Sequence, residues 1–361
     1  MRSIPVRVLC VLVFMAVLMG GKPARAENVR CLGFGVPNPI PAGEVIVGYT
    51  YTPSCPLLPQ PLYNAAITSA PAENLQICTR FLTGYYFIPS GWMTVPEFVT
   101  SSRCNFGTSD TTSNNAFVLR LLSGIPGLGV TDSARYQAVI TPSGLASAFG
   151  SGLTAVSQSG SCSLTLGRVH VWVLDGQSIF RQACILFAGP TQINFQVPST
   201  AASAVNTTGR VLVYNLDQAR IVAQGAVPLR PTAPALFTQN QQGTGRAAAN
   251  LLRVRAADGS QVYEDINNPI DVNTPDDLYL VLYGTGIRNV PSVSQVRTSI
   301  SGIFNQVTFA GAQGSVGLDQ VNVLLDKAAL AGLHGEQSVV VSVTDSRTTV
   351  PTSNVVTVPF R

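Results

Sequence analysis

Few side chains of this chain have both the type and the spacing that catalysis requires. Residues 243–248, Gly-Thr-Gly-Arg-Ala-Ala, match the G-x-G-x-x-A pattern of dinucleotide-binding turns. That pattern works only between a strand and a helix of a βαβ unit, which the flanking residues do not predict, so we predict a plain loop. A nucleophilic triad would have to use His170 or His334, the only histidines, and no G-x-S-x-G sequence is present. The sequence therefore predicts no catalytic residue and no cofactor.

An acidic stretch offers oxygen ligands for a cation. Such oxygens bind Ca²⁺ in loops of many extracellular proteins, but this stretch contains no D-x-D-x-D-G loop. We predict solvated turn residues and no metal site, with bound calcium as the alternative. The carboxylates are those of Asp258, Glu264, Asp265, Asp271, Asp276 and Asp277.

Aromatic side chains are dense in the first part of the chain. Exposed aromatic rings would suit a glycan or a cell-surface protein as a partner. A small disulfide-containing module also uses aromatic rings as its core, so burial is the alternative that we favour. The residues concerned are Tyr49, Tyr51, Tyr85, Tyr86, Phe87 and Trp92.

The carboxylates of residues 27–135 are the groups that a hydrolytic site in the N-terminal domain would have to use. A glycosidase needs two carboxyl groups roughly 5 to 10 Å apart across a cleft. We predict a non-enzymatic exported protein that serves adhesion, envelope structure or ligand binding. A secreted hydrolase or carbohydrate-active protein with its site in the N-terminal domain is the alternative, and its candidate carboxylates are Glu44, Glu73, Glu97, Asp110 and Asp132.

The first 26 residues have the pattern of a secretory signal. Arg2 and Arg7 precede an apolar run from Val8 to Leu18, and small residues follow up to Ala26. Without these residues the net charge of +4 falls to zero, which argues against a nucleic-acid partner. No further apolar run is long enough to span a membrane. We therefore expect a secreted or extracellular location, which includes the periplasm and the cell surface.

Six cysteines remain after the signal, and an even number in an exported chain predicts disulfides. Cys162 and Cys184 flank a predicted hairpin at Asp175-Gly176 and are expected to pair. For the other four we favour Cys31 with Cys55 and Cys78 with Cys104, because each pair brackets one copy of a repeat. The crossed pairing, Cys31 with Cys104 and Cys55 with Cys78, is the competitor.

That repeat occupies residues 31–122. Each copy has a cysteine, an I-P-x-G segment, a strand-like run, a second cysteine and an Asn-Ala pair. Ile40-Pro41-Ala42-Gly43 and Ile88-Pro89-Ser90-Gly91 suit type I turns.

A larger repeat follows. F-G-S-G-L at 149–153 recurs as Y-G-T-G-I at 283–287, and Q-I-N at 192–194 recurs as Q-V-N at 320–322. Short, alternating, β-branched runs between turns predict antiparallel strands. We predict an all-β fold in which a small disulfide-containing domain precedes two immunoglobulin-like β-sandwich modules. The domains are the signal 1–26, the cysteine-containing repeats 27–135, sandwich modules 136–232 and 270–361, and a linker region 233–269.

The repeated amides are candidates for a ligand site. In residues 192–197 polar and apolar side chains alternate, so the amides face away from Ile193, Phe195 and Val197. We predict that the amides are structural and close backbone hydrogen bonds in a loop over the sheet. Replacement of Asn194 or Asn322 by alanine should then lower the melting temperature by several degrees. The amides are those of Gln192, Asn194, Gln320 and Asn322.

Five segments, within residues 136–361, resemble an uncharacterised C-terminal domain family found on exported acidobacterial (Solibacter-type) proteins. The resemblance implies export and a β fold but no activity. The pair Cys162 and Cys184 departs from the family's pattern, and the I-P-x-G cysteine repeats of residues 31–122 are similar to repeats in related bacterial proteins. The segments are SGLASAFGSGL, AGPTQINFQVP, APALFTQNQQGTGRAAA, LYLVLYGTGI and GSVGLDQVNVLL.

Overall fold

A computed structural model describes residues 26–32, 40–41, 43–55, 64–72, 74–78, 91–99, 101–104, 116–176, 180–199, 205–344 and 351–361. Within these residues the protein is all-β apart from one helical turn and short 3₁₀ segments. The predicted signal, apart from its last residue, Ala26, lies outside the described residues. The chain forms two compact units, Met1–Ser123 and Gly124–Arg361.

The first unit contains two three-stranded antiparallel sheets. In each sheet the last strand along the chain lies in the centre, giving the orders β1-β3-β2 and β4-β6-β5. Residues of both sheets, among them Ile46, Ala66 and Ala116, share one buried cluster. The strands are β1 Glu27–Cys31, β2 Val45–Thr50, β3 Ala65–Ser69, β4 Gln76–Cys78, β5 Trp92–Val99 and β6 Ala116–Leu121.

The predicted type I turn at residues 40–43 is wrong. The bond of the turn runs from Glu44 N to Pro41 O (3.1 Å), one residue later than expected. Gly43 has a φ of 89°, and a positive φ at the third position belongs to a type II turn.

Three disulfides link Cys31 to Cys55, Cys78 to Cys104 and Cys162 to Cys184. This confirms the favoured pairing and excludes the crossed one. Each bridge closes a loop of more than twenty residues and in the chain-entropy model stabilises the fold by about 3 kcal/mol. Three disulfides indicate an oxidising, extracytoplasmic environment.

The second unit begins with a five-stranded sheet, order β7-β8-β13-β12-β9, and a four-stranded sheet, order β11-β10-β14-β15. Their apolar faces share one core, to which Val171, Val213, Ile193 and Phe195 contribute. The predicted hairpin is confirmed, since β10 and β11 pair in antiparallel register. The strands are β7 Gly129–Asp132, β8 Leu145–Phe149, β9 Gln158–Ser163, β10 Val169–Leu174, β11 Phe180–Gln182, β12 Cys184–Ala188, β13 Gln192–Gln196, β14 Thr207–Asn215 and β15 Arg220–Leu229.

A ten-stranded sheet, curled into a half-barrel, completes the second unit. Its main path has the order β17-β25-β24-β21-β22-β23-β20-β18-β19, and β16 pairs with β20. The core lies inside the curl, where Leu280, Val323 and Val341 meet. The elements are β16 Ala235–Leu236, β17 Gly245–Arg246, β18 Ala249–Val254, β19 Gln261–Asp265, β20 Asp277–Thr285, β21 Val296–Ile300, β22 Ile303–Ala312, β23 Asp319–Leu324, α1 Lys327–Leu330, β24 Gly335–Val343 and β25 Val356–Phe360.

The module boundaries at residues 136, 233 and 270 stay predictions. Strand β7, which precedes residue 136, pairs with β8, and β18, from the predicted linker, pairs with β20. The compact units therefore divide earlier in the chain than the sequence suggested, at residues 123 and 124.

Candidate functional site

The residues singled out for catalysis do not converge. His170 lies on β10 with its Nε2 2.8 Å from the Thr165 hydroxyl, whereas His334 precedes β24. The G-x-G-x-x-A segment includes β17, and the next element is the strand β18 rather than a helix. This segment therefore lacks the helix N-terminus on which a dinucleotide pyrophosphate is held.

The prediction of turn residues for the acidic stretch is wrong for three of the six, because Glu264 and Asp265 belong to β19 and Asp277 begins β20. Asp258, Asp265 and Asp271 each accept a backbone N–H two residues later, at 2.9 to 3.0 Å. The carboxylates of Glu264 and Asp276 are occupied by the Arg253 guanidinium. No group of three metal-ligating side chains is found among the described residues.

The aromatic residues of the first unit divide between core and surface. Tyr49 is buried, and its burial raises the pKa of its hydroxyl, while Trp92 packs against the core. Tyr51 is exposed. Tyr85, Tyr86 and Phe87 lie outside the described residues.

In the described part of the chain, no two of the candidate glycosidase carboxylates face each other across a cleft. Asp132 lies in β7 of the second unit and accepts bonds from the N–H groups of Ala134 and Arg135. Glu73, Asp110 and the side chain of Glu97 lie outside the described residues. Glu44 is engaged at the sheet of the first unit, where its carboxylate accepts bonds from Arg30 (2.7 Å), Asn28 (3.0 Å) and the Thr68 hydroxyl.

These hydrogen bonds lower the pKa of the Glu44 carboxyl below its ordinary value of 4.5, and the bond from Arg30 has the largest effect. A lowered folded-state pKa contributes stability that is present above the unfolded value and is lost as the pH falls through the folded one. We expect Glu44→Gln to lower the urea midpoint of the first unit at neutral pH and to lower it by a smaller amount at about pH 3, which is below the unfolded value. Trp92 fluorescence in a Trp172→Phe background measures this. An equal effect at both pH values would contradict the role of the charge.

The repeated amides lie on the outward face of the five-stranded sheet. Gln192 Nε2 donates to Asn194 Oδ1 (2.8 Å), which also accepts from the Ser147 hydroxyl (3.0 Å). In the part of the chain that the structure describes, neither amide side chain bonds to the backbone, so the prediction that these amides close backbone hydrogen bonds is wrong for Gln192 and Asn194. Gln196 has that role, since its Nε2 donates to Ser143 O (3.0 Å).

The curled sheet carries the same pair. Gln320 Nε2 donates to Asn322 Oδ1 at 2.7 Å. Their neighbours Val321 and Val323 point into the core, so both amides face outward.

Two aromatic rings flank each amide pair. In the five-stranded sheet Phe187 is the cross-strand partner of Asn194, and Phe149 is the partner of Gln192. Cross-strand partners lie on the same face with Cβ atoms about 5 Å apart. We call Phe149, Phe187, Gln192 and Asn194 the first amide–aromatic cluster.

The curled sheet has the corresponding arrangement. Phe309 on β22 is the partner of Asn322, and Tyr283 on β20 is the partner of Gln320. Phe309 is exposed and Tyr283 half-buried. We call Tyr283, Phe309, Gln320 and Asn322 the second amide–aromatic cluster.

A Phe-Ala-Gly segment positions one ring in each cluster. Both segments follow a register shift, at residues 185–187 and 307–309. A Cβ added at Gly189 would lie 3.0 Å from the Phe187 ring, and one at Gly311 would lie 3.3 Å from the Phe309 ring. Each ring therefore lies over the bare glycine backbone of its own strand.

Sequence reasoning missed these rings although the Phe-Ala-Gly segment is visible twice. Its offset is 122 residues (187 to 309), whereas the amide offset is 128 (192 to 320). The turn between the two motifs is longer in the second copy, and this hides the match.

Each cluster has open hydrogen-bonding groups. No described residue bonds to the Nδ2 atoms of Asn194 and Asn322 or to the Oε1 atoms of Gln192 and Gln320. Within the described residues, each cluster thus offers one amide donor and one amide acceptor without a partner, and none of its four side chains is charged.

Among the described residues, no helix has the length and hydropathy that a membrane crossing requires. No family model matches the chain, and no curated protein is significantly similar to it.

Proposed function

We propose that this chain is an exported, non-enzymatic binding protein whose second unit holds neutral glycans on its two amide–aromatic clusters. The observation that carries the proposal is the paired glutamine and asparagine between two rings, which occurs in both sheets. We also propose that the two sheet systems are duplicated, immunoglobulin-like sandwich modules, in line with the ordered sequence matches at nearly constant offsets.

The chemistry of the clusters suits a sugar. A hydroxyl group both donates and accepts, so neighbouring hydroxyls fit an amide N–H next to an amide oxygen. Aromatic rings stack on the apolar C–H face of a pyranose and supply contact area at little cost in side-chain entropy. The absence of charge within the clusters favours a neutral ligand, because an ionised ligand would lose its hydration without gaining an opposite charge.

A double variant, Asn194→Ala with Asn322→Ala, tests this proposal on the full chain. Each substitution removes an open donor, and we expect at least a tenfold loss of affinity for glycans that the wild type binds on an array of neutral cell-wall and plant oligosaccharides. Isothermal titration of the strongest hits measures it. Asn273→Ala is the matched control, because Asn273 is an exposed loop asparagine outside both clusters.

Three outcomes would count against the proposal. Unchanged affinity in the double variant, with a melting temperature lower by several degrees, would give the amides a structural role only. An array without hits for the wild type would remove the glycan-binding function. A reproducible hydrolysis product would favour the secreted hydrolase.

A further inference from the structure

The second cluster continues into a wider surface of the curled sheet. On the same face, Tyr279 of β20 is the cross-strand partner of Leu252 of β18, and Leu252 is the partner of Tyr263 of β19. Tyr263 is 61% exposed, and the other two side chains are half-buried. A row of apolar and aromatic side chains therefore runs across three adjacent strands beside the cluster.

Asn250 joins this row to the cluster. Its Oδ1 accepts a 3.0 Å bond from the hydroxyl of Tyr283, and its Cα is paired with that of Val281. Val281 is almost completely buried although it points outward, and its cross-strand partners are Asn250 and Asn322. The row and the second cluster thus form a filled surface and not a pocket. We call this surface, which comprises Leu252, Tyr263, Tyr279 and the second cluster, the platform.

The platform is long and its middle is uncharged. From Phe309 on β22 to Tyr263 on β19 it crosses four inter-strand steps, roughly 19 Å. Of the carboxylates on this face, Asp277 lies at the start of β20, and Asp265 lies at the end of the edge strand β19 as the cross-strand partner of Asn250. A neutral ligand that contacts the whole platform must be an extended chain.

The first cluster has a shorter extension, which consists of one exposed ring, that of Tyr136, with its centroid 6.3 Å from that of the Phe149 ring. The strand next to β8 is β7, which is the edge of its sheet and places Gly129 beside Phe149 and Thr131 beside Ser147. Neither residue carries a ring. The aromatic surface around the second cluster therefore extends across more strands than the surface around the first, although the four residues of the two clusters correspond.

We propose that the second cluster binds a linear neutral polysaccharide laid across strands β22 to β19, with Tyr263 as the distal stacking residue, whereas the first cluster takes only a short glycan segment. This inference rests on the proposed glycan binding and adds the ligand class. Affinity at the second cluster rises with chain length until the chain reaches Tyr263.

The test uses the full chain and the cello-, xylo-, laminari- and malto-oligosaccharide series from disaccharide to hexasaccharide. In an Asn194→Ala background only the second cluster retains its donor. There we expect affinity to rise at least tenfold along the series that binds, and Tyr263→Ala to lower hexasaccharide affinity about tenfold while leaving disaccharide affinity unchanged. In an Asn322→Ala background we expect no dependence on chain length.

Leu164→Ala is the control, since Leu164 is an exposed apolar residue of the second unit outside both clusters and its loss is expected to leave both affinities unchanged. A flat chain-length profile in the Asn194→Ala background, or an unaltered hexasaccharide affinity in Tyr263→Ala, overturns the platform but leaves short-glycan binding standing. Failure of the wild type to bind any member of the four series overturns the platform together with the proposed function. Unchanged melting temperature of Tyr263→Ala confirms that a loss of affinity is not a loss of folding.

Discussion

Replacement of Gly286 by alanine is expected to lower the free energy of unfolding of the second unit by about 2 to 5 kcal/mol. Gly286 has a φ of 77°, where a side chain costs about 1 to 2 kcal/mol. An added Cβ would also lie 2.2 Å from the carbonyl oxygen of Ala233 and 2.9 Å from its carbon. The backbone there cannot retreat without breaking the bond from Ala233 N to Gly286 O (2.9 Å). Urea denaturation followed by Trp172 fluorescence measures the change.

Gly152 provides a matched control for this prediction. It occupies the corresponding place in F-G-S-G-L and has a φ of 64°, but an added Cβ meets nothing within 4 Å. Gly152→Ala should therefore cost only the conformational strain, about 1 kcal/mol. Equal losses in the two variants would show that the close approach of Ala233 is not what requires glycine.

Replacement of Asp319 by alanine is expected to destabilise the second unit by about 3 to 5 kcal/mol. The carboxylate is fully buried and accepts bonds from Ile287 N (2.7 Å), Arg288 N (3.1 Å) and Arg288 Nε (2.5 Å). Its removal strands two buried N–H groups and a guanidinium that is itself only 14% exposed. The same denaturation measurement applies.

Asp258→Ala controls for the loss of a carboxylate as such. Asp258 accepts a bond from Ser260 N in an exposed turn, so its removal should leave the stability almost unchanged. If Asp319→Ala is no more destabilising than Asp258→Ala, the buried ion pair does not hold the Y-G-T-G-I turn. That result would also weaken the account of Gly286, because both residues act on the same turn.

Local patterns were enough to predict the strands and the disulfides. Val169, Val171 and Val173 stand at alternate positions of one β-branched run and all lie in the core, because the side-chain period of a strand is a local property of the backbone. The cysteine pairs were predictable because each closes a loop within one segment. Turn geometry was harder to predict from the sequence. A Pro-x-Gly sequence is compatible with more than one turn type, so it does not determine the φ of the glycine or the residue at which the I-P-x-G turn begins.

The alternation of polar and apolar residues along the strand predicts which way the repeated amides face, but it does not predict which side chains lie beside them. Phe187 reaches Asn194 because two strands pair in one register, and Tyr263 lies near Tyr279 because β18 pairs with both β19 and β20. Register is decided by the burial of whole faces and by bulges, which depend on every strand of a sheet at once. The all-β class and the disulfides thus follow from the order of residues, whereas the clusters and the platform exist only through contacts between strands that are distant in the chain.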